Sequence, residues 1–329
     1  MTCTQTLIQT TSKLAALARL GQIKYARQLF DEMPNRDSIA WNAMLTSYTQ
    51  LGFHQEALSL FRRMRISDTR PDHFTFTATL SACAGACKLQ CGTKVHALVT
   101  VLGYQSYLPV NNALIDMYGK CLDPCSASRV FEEMKLRNEV SWCSVLFAHT
   151  NSGQFDAARE VFSVIPRRVE IAWNVMIVGY ARNGEVESCL GLLKEMKQSL
   201  CKPDQWTFSS LMNACAEALE FWCGCMVHAY IIKSGWSSSV EVKNSVLSFY
   251  AELGCLGNAV KVFESGGTLT QVSWNAMIDT YMKLGNIHEA LRVFQLSPEQ
   301  NIISWTSMIS GYARYGYGER SCLASLLIC

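Results

Sequence analysis

The sequence predicts an all-α protein, a right-handed superhelical solenoid of antiparallel helix-turn-helix hairpins. One short segment built around a tryptophan occurs five times, at Trp41, Trp142, Trp173, Trp274 and Trp305. A glycine follows each tryptophan by eleven residues. Self-similarity at fixed spacing is typical of a repeat architecture, in which each unit packs only against its neighbours.

The periodicity within a unit is helical. Four apolar residues of the first tryptophan segment fall on one helical face, at i, i+3, i+4 and i+7: Trp41, Met44, Leu45 and Tyr48. Gly52 then ends this helix, and a second amphipathic pattern follows it, with Ala57, Phe61 and Met64 on the apolar side. One hairpin cannot bury its apolar face alone, so we expect the hairpins to stack.

The tryptophan and glycine positions divide the chain into units of 31 or 35 residues. After a stub at residues 1–6, the units are 7–37, 38–72, 73–107, 108–138, 139–169, 170–204, 205–239, 240–270 and 271–301. A partial unit occupies 302–318. Residues 319–329 lack the repeat pattern, and we expect them to form an aberrant tail of a truncated array. Residue types recur at a period of 132: Asp72/Asp204, His96/His228, Asn112/Asn244 and Tyr118/Tyr250.

Composition limits the classes of partner. The net charge is +2, so the sequence does not favour a partner held mainly through its phosphates. No apolar run approaches the ~20 residues that span a bilayer, and no membrane partner is expected. The fifteen cysteines occur without a secretory segment, which favours reduced thiols packed between helices. The first acidic residue is Asp31, a bias typical of organellar transit peptides, although a unit already begins at Leu7.

Two positions of each unit carry recurring polar residues. The fifth residue is an asparagine in five units and a threonine in the first and last: Asn42, Asn112, Asn174, Asn244, Asn275, Thr11 and Thr306. The last residue carries a carboxylate, an amide or a threonine hydroxyl in six units: Asp37, Asp72, Asn138, Asp204, Thr270 and Asn301. An amide has two donors and two acceptor lone pairs, which suit the Watson–Crick edge of an unpaired base. Stacking would align these positions along one surface.

Other interpretations of these residues are simpler. Asp72 and Asp204 alone could be helix N-caps, and single asparagines could be solvated. Their repetition favours a shared site. The tryptophans belong to the core, and His96 and His228 are structural. Cys83, Cys87 and Cys91 span about 12 Å along one helix, too far for one tetrahedral metal ion, so no metal or other cofactor is expected. The sequence contains no catalytic constellation, so we do not predict an enzyme.

At this point a family resemblance becomes specific. It rests on the 35- and 31-residue unit lengths and on four segments: Trp274-Asn-Ala-Met-Ile278, Asn112-Ala-Leu-Ile-Asp-Met-Tyr-Gly-Lys-Cys121, Val95-His96-Ala97 and Phe30-Asp-Glu-Met-Pro34. The chain resembles plant pentatricopeptide repeat proteins of the class that alternates P, L and S motifs. The resemblance implies that the fifth and last residues of a unit together select one base of a single-stranded RNA.

By this resemblance, Asn42 with Asp72 and Asn174 with Asp204 would favour uracil. Asn112 with Asn138 and Asn275 with Asn301 would favour a pyrimidine, Asn244 with Thr270 weakly so, and Thr11 with Asp37 guanine. Cys143/Val169 is no readable pair, and Thr77/Tyr107 and Ser209/Ser239 belong to units that read poorly in the family. Aliphatic residues at the second position would sandwich the bases: Ile39, Val140, Ile171, Val272 and Ile303. Pro109 and Glu241 depart from this pattern.

The expected function is therefore RNA binding in an organelle, the mitochondrion or alternatively the chloroplast. Relatives with this motif order commonly end in E or DYW extension domains and direct cytidine-to-uridine editing. This sequence carries no such extension, so RNA editing or other RNA processing would need a deaminase-bearing or editing-factor protein in trans. The alternative is a protein-binding helical-repeat scaffold of the tetratricopeptide kind, but its 34-residue unit does not match the 35/31 alternation.

Overall fold

A computed structural model describes residues 3–166 and 168–316. These residues form helices and connecting turns, with no strand among them, which confirms the predicted all-α solenoid. The chain divides into two compact units, residues 1–168 and 169–329. The predicted C-terminal tail, the end of the partial repeat from residue 317 and the first two residues of the predicted stub lie outside the described part of the chain.

In the first compact unit, ten helices form five antiparallel hairpins. Their bounds are α1 Cys3–Arg19, α2 Ile23–Glu32, α3 Ser38–Gln50, α4 His54–Ile66, α5 His73–Gly85, α6 Leu89–Val101, α7 Leu108–Lys120, α8 Pro124–Glu133, α9 Glu139–Asn151 and α10 Phe155–Val164. A single 3-10 turn, Tyr104–Ser106, precedes α7.

In the second compact unit, four hairpins are followed by the first helix of a fifth. The bounds are α11 Glu170–Arg182, α12 Val186–Gln198, α13 Gln205–Glu217, α14 Phe221–Lys233, α15 Val240–Glu252, α16 Leu256–Glu264, α17 Gln271–Lys283, α18 Ile287–Leu296 and α19 Ile302–Arg314. A 3-10 turn, Trp236–Ser238, precedes α15.

Within each compact unit the helices form two layers. The first helices of consecutive hairpins pack against one another, as α3, α5 and α7 do. Each second helix packs on its own first helix and, in most hairpins, on the next first helix. The N-terminal ends of the first helices therefore lie along one edge of their layer.

Aromatic contacts join consecutive hairpins. The tryptophan of a first helix meets the phenylalanine of the preceding second helix edge to face, with ring centroids 4.9 Å apart for Phe30 and Trp41 and 4.7 Å for Phe131 and Trp142. Phe263–Trp274 and Phe294–Trp305 repeat the contact at 5.0 and 4.8 Å. Trp41 and Trp173 are buried and the other three are half-buried, as expected for core residues. Such pairs add about 0.5–1.5 kcal/mol to the energy of area burial.

An arginine donates hydrogen bonds to the C-terminal carbonyls of several second helices. Arg36 stacks over Phe30 at 5.0 Å and donates to the Phe30 carbonyl at 2.8 Å. Arg137 and Arg168 repeat both contacts with Phe131 and Phe162. The unit at 240–270 has a leucine at the equivalent position, Leu269. There the Lys243 ammonium, from α15, donates to the carbonyls of Phe263 at 3.3 Å and Gly266 at 2.5 Å.

Candidate nucleic-acid interface

The fifth and last residues of six units are in hydrogen-bond contact. The donor–acceptor distances are 3.5 Å for Thr11–Asp37, 3.0 Å for Asn42–Asp72, 3.3 Å for Asn112–Asn138, 3.1 Å for Asn174–Asp204, 3.1 Å for Asn244–Thr270 and 3.3 Å for Asn275–Asn301. The paired residues are 26 or 30 positions apart in the chain, so the packing of one hairpin on the next brings them together.

The local structure explains this proximity. Asp72 is the N-cap of α5, and its carboxylate accepts from the backbone N–H of Thr75 at 2.9 Å. Asn42 lies one turn into α3, the neighbouring first helix, and its Nδ2 is 3.0 Å from both oxygens of Asp72. Asp72 is therefore both the N-cap of α5 and the partner of Asn42, because its carboxylate makes both contacts.

A third residue, not anticipated from the sequence, completes these sites. The hydroxyl of Thr75, the third residue of the following unit, donates to Asn42 Oδ1 at 2.6 Å. The same hydroxyl contact occurs at 2.6 Å in Thr207–Asn174, 2.7 Å in Ser141–Asn112 and 2.6 Å in Ser273–Asn244. The recurrence of serine or threonine at the third position was the available signal. Because the hydroxyl donates to the amide oxygen, the amide nitrogen must face the capping residue.

The amide of each such asparagine is oriented before any ligand binds. In Asn42 the oxygen accepts from Thr75, and the nitrogen donates to Asp72. One amide N–H, one amide lone pair and the remaining carboxylate lone pairs are left for a ligand. Asn42, Asp72, Asn174 and Asp204 are half-buried, so part of each side chain is open to solvent. Such a set of fixed donors and acceptors is suited to a base edge.

Exposed aliphatic side chains accompany the pairs at the second position of five units. The exposed fractions are 62% for Ile39, 55% for Val140, 61% for Ile171, 57% for Val272 and 60% for Ile303. All five lie in the first turn of a first helix, at the same edge of the layer as the pairs. Flat apolar surface beside a fixed polar pair would suit a base, which has an apolar face and a polar edge.

Two aromatic residues occupy the same second position and were missed by the sequence analysis. Phe74 and Trp206, which lie 132 residues apart, are each 61% exposed. Beside Phe74, the rings of His73 and Tyr107 stack with centroids 5.0 Å apart. The aliphatic pattern of the other units does not predict these two aromatic residues, although their position in the unit identifies them.

The remaining sequence-predicted positions do not form pairs. The Thr77 hydroxyl donates to the His73 carbonyl within its own helix at 2.8 Å, and Thr306 likewise to Ile302 at 2.7 Å. Ser239 contacts Gln205 and Glu241 rather than Ser209. The units at 73–107 and 205–239 thus lack the polar pair while presenting Phe74 and Trp206.

A metal centre and a reactive buried thiol are two kinds of site that the described residues do not form. Residues 3–166 and 168–316 contain no group of three or more His, Cys, Asp or Glu side chains that could hold a metal ion. Burial raises the pKa of the Cys83, Cys189 and Cys215 thiols to about 12, so these thiols are poor nucleophiles. None of the described helices is both long and apolar enough to cross a bilayer.

Comparison with known families gives a consistent result. The PPR repeat family matches residues 36–85 and 168–217, and PPR repeats match residues 14–38, 112–139, 140–168, 272–302 and 303–322. A mitochondrial pentatricopeptide repeat-containing protein of Arabidopsis thaliana is 55% identical over 271 residues, covering 82% of this chain and 43% of that protein. A chloroplastic one from the same plant is 30% identical over 267 residues, covering 80% and 44%. The chain thus spans less than half the length of these relatives.

Solved structures show the same fold. The crystal structure of the pentatricopeptide repeat protein PPR10 from maize aligns with a TM-score of 0.57 at 19% identity, over 92% of this chain and 51% of PPR10. The structure of PPR10 in complex with an 18-nucleotide psaJ RNA element aligns with a TM-score of 0.53, over 96% of this chain and 53% of PPR10.

Proposed function

The chain belongs to the pentatricopeptide repeat family of plants, and we propose that it binds single-stranded RNA in a sequence-specific way, one base to each repeat unit. The single observation that carries this proposal is the recurrent contact between fifth and last residues, with the amide already oriented in four of the six pairs. The similarity of fold to PPR10, which was solved in complex with an RNA element, also supports RNA binding.

In this proposal each base lies between exposed second-position side chains, and its edge meets the polar pair. An asparagine fixed against a carboxylate presents an N–H donor beside an acceptor, which complements the alternating acceptor and donor of uracil. Asn42–Asp72 and Asn174–Asp204 are the two such pairs. In chain order the pairs specify 5′-G-U-n-Y-n-U-n-Y-Y-3′, where n is unread and Y is a pyrimidine.

Phe74 and Trp206 extend this proposal to the units without a polar pair. A ring exposed at the second position can stack on any base, because every base has a π face. These two units would then contribute affinity without sequence preference. With a net charge of only +2, binding would depend on base contacts, and its salt dependence would be shallow.

The test is fluorescence anisotropy with a labelled RNA carrying the specified sequence. We expect Asn42→Ala with Asn174→Ala to weaken binding by tenfold or more and to erase the preference over an RNA with adenine at both uracil positions. Phe74→Ala with Trp206→Ala should weaken binding to both RNAs equally, since stacking contributes about 1–3 kcal/mol per base. Trp222→Ala is the control, because Trp222 is 77% exposed on α14, a second helix. Unchanged binding by the asparagine variant would refute base reading.

The finer features of the function are also proposals. The alternating unit lengths support membership of the class with P, L and S motifs, and the mitochondrial relative favours a mitochondrial location over a chloroplast one. We further propose that the bound RNA is a substrate for cytidine-to-uridine editing or other processing by a protein acting in trans. Sequencing organellar transcripts from plants that lack this chain would reveal the unedited or unprocessed site.

A further inference from the structure

A groove of about 740 Å3 lies between α4 and α6, two consecutive second helices. Four basic side chains line it, Arg62 and Arg65 from α4, Lys88 before α6 and Lys94 within α6, and no acidic side chain is among its lining residues. Between these charges the wall is apolar, with the buried Leu58, Phe61 and Val95 behind it and the half-buried Leu89 and Leu98 open to the groove. The groove therefore combines a basic rim with an apolar floor.

The four rim side chains have no ion-pair partner within the described part of the chain. Arg63, the neighbour of Arg62, forms an ion pair with Asp31 at 3.2 Å outside the groove. Arg62, Arg65 and Lys94 take part in no ion pair there, and Lys88 donates to the neutral amide of Gln55 at 2.7 Å. Four like charges around one depression repel each other, and an anionic ligand relieves that repulsion.

The equivalent position one period later shows that the fold does not require this charge. At a distance of 132 residues, Arg62, Arg65, Lys88 and Lys94 correspond to Lys194, Lys197, Glu220 and Met226. The first set carries +4 and the second +1, since two lysines are offset by one glutamate. Lys197 also has an intramolecular partner, because its ammonium lies 3.8 Å from the centroid of the Tyr230 ring. The basic groove is thus a property of one position and not of the repeat.

We propose that this groove binds an acidic amphipathic segment of a partner protein. The apolar side chains of the segment would cover the floor, and its carboxylates would meet the basic rim. Arginine binds carboxylates through two parallel hydrogen bonds, and two of the four rim residues are arginines. The α4 wall runs from residue 58 to 65, about 10 Å at the 1.5 Å rise of a helix, so it suits a segment of about two helical turns.

The chemistry of the groove favours protein over RNA. RNA held in a basic groove is bound through its phosphates and by stacking of its bases on exposed rings. The only aromatic residue lining the groove, Phe61, is 5% exposed, so it has no free face for a base. The groove also lies on second helices, whereas the polar pairs lie at the N-terminal ends of first helices. Its occupant is therefore separate from the RNA of the proposed function.

The experiment uses the full chain and a labelled 16-residue peptide with leucines on one helical face and glutamates along both flanks. We expect anisotropy to show binding that weakens at least tenfold in the triple variant Arg62→Glu/Arg65→Glu/Lys94→Glu. All three side chains are exposed, so folding should be preserved, and circular dichroism checks it. Lys194→Glu with Lys197→Glu, at the equivalent position, should change binding less than twofold. A peptide with glutamine for glutamate should bind at least tenfold more weakly.

A second readout locates the peptide. The exposed Cys87 lines the groove, whereas the exposed Cys125 lies on α8 outside it. We expect bound peptide to slow maleimide labelling of Cys87 severalfold and to leave Cys125 unchanged, as measured by mass spectrometry. Absence of peptide binding, equal binding by the two charge-reversed variants, or an unprotected Cys87 overturns the proposal.

RNA binding by the same variants distinguishes this proposal from the proposed function. The triple variant should bind the specified RNA as the unaltered chain does. If instead it loses tenfold in RNA affinity while peptide binding is unchanged, the groove carries RNA phosphates and the proposal is wrong. Failure of Asn42→Ala with Asn174→Ala to affect RNA binding would overturn base reading alone, and the peptide result would stand independently.

Discussion

A hydroxyl, an amide and a capping carboxylate form one small network at two of the candidate base sites. Asn42 is held on one side by Thr75 at 2.6 Å and on the other by Asp72 at 3.0 Å. One contact fixes the amide oxygen, and the other fixes the amide nitrogen. The side chain therefore loses its conformational entropy when the protein folds and not when a ligand binds. The orientation of the amide therefore depends on Thr75, and under the proposed function this residue would influence the choice of base without touching the RNA.

The first prediction concerns this orienting residue. Thr75→Val keeps the shape of a fully buried side chain but removes the hydroxyl that donates to Asn42 and accepts from the Asp72 N–H. We expect a loss of about 1–2 kcal/mol in the free energy of unfolding, because a part-buried donor loses its acceptor. Preference for uracil over cytosine at the second position of the RNA should fall severalfold. Urea unfolding and anisotropy with two RNAs that differ at that base measure both effects.

Thr79→Val is the control for this prediction. Thr79 is equally buried in α5, and its hydroxyl donates only to the Thr75 carbonyl. It should leave the uracil preference unchanged. If the two variants discriminate the bases equally well, the hydroxyl has no orienting role.

The alignment of the fifth and last residues along one surface could be predicted because both positions recur at fixed places in the unit, whereas their pairing followed from the family resemblance. The third member of the network could not be predicted by considering one unit at a time, since Thr75 belongs to the unit after that of Asn42. Phe74 and Trp206 could not be predicted for a different reason, because the second position is aliphatic in most other units and these two residues are aromatic.

At the scale of the helical hairpin, the fifteenth residue of the unit sets the turn between the two helices. Gly52, Gly153 and Gly184 adopt the left-handed conformation there, with φ of 79°, 71° and 73°. Cys87, Leu122 and Leu219 adopt it at the same position with φ of 49°, 59° and 55°. The helices could be predicted from apolar periodicity and glycine. At these three turns no glycine marks the end, so helix packing imposes a conformation that side chains with a Cβ disfavour.

The second prediction follows from this turn. Leu219 is 64% exposed, so Leu219→Gly loses little packing while it relieves the left-handed backbone. Left-handed φ costs a non-glycine residue about 1–2 kcal/mol, and the added flexibility of glycine in the unfolded chain costs about 0.5–1 kcal/mol. We expect the free energy of unfolding to rise by about 0.5–1 kcal/mol, measured by urea unfolding.

The reverse substitution is the control. An added Cβ at Gly184 would meet nothing within 4 Å, so Gly184→Ala tests the backbone alone. It should lower the free energy of unfolding by about 1 kcal/mol. An unchanged or lower stability for Leu219→Gly would show that packing at this turn outweighs backbone strain.

One contact at the C-terminal end of a helix is made by a residue of another helix, and the sequence pattern does not predict it. Arg36 and Arg137 close their helices from the adjoining loop, so both partners lie in one short stretch of chain. Lys243 does the same for α16 but lies on α15, twenty residues before the Phe263 carbonyl that it contacts. Only the packed hairpin brings these two groups together, which is why periodicity could not reveal the contact.

Across the whole chain, the polar network recurs at the 132-residue period, whereas the basic rim does not. The network of Asn42 with Asp72 and Thr75 recurs in Asn174 with Asp204 and Thr207. The basic rim around Arg62 does not recur. The edge proposed to read bases is therefore repeated, whereas the surface of the second helices differs between the two periods. A separate partner for each surface is consistent with this difference.

A part-buried histidine–tyrosine contact also recurs with the period and is the basis of the last prediction. His96 Nδ1 is 2.9 Å from the Tyr118 hydroxyl, and His228 Nδ1 is 2.9 Å from the Tyr250 hydroxyl. Burial lowers the pKa of both imidazoles. At His96, Arg129 lowers the pKa further and Glu133 opposes this shift. The folded chain therefore favours the neutral form of both rings.

The sign of the resulting pH dependence follows from linkage. The pKa of each histidine is lower in the folded chain than its ordinary value of about 6.5, so the unfolded chain takes up the protons first as pH falls. The free energy of unfolding should decrease from about pH 7.5 toward the folded-state pKa values and should gain nothing from these groups above that range. The urea midpoint should be lower at pH 5.5 than at pH 7.5, and this drop should be smaller in His96→Gln with His228→Gln. His288→Gln is the control, since His288 is exposed on α18. An equal drop in the double variant and the unaltered chain would mean that other groups govern the acid sensitivity, and the half-buried imidazoles would then be only packing elements.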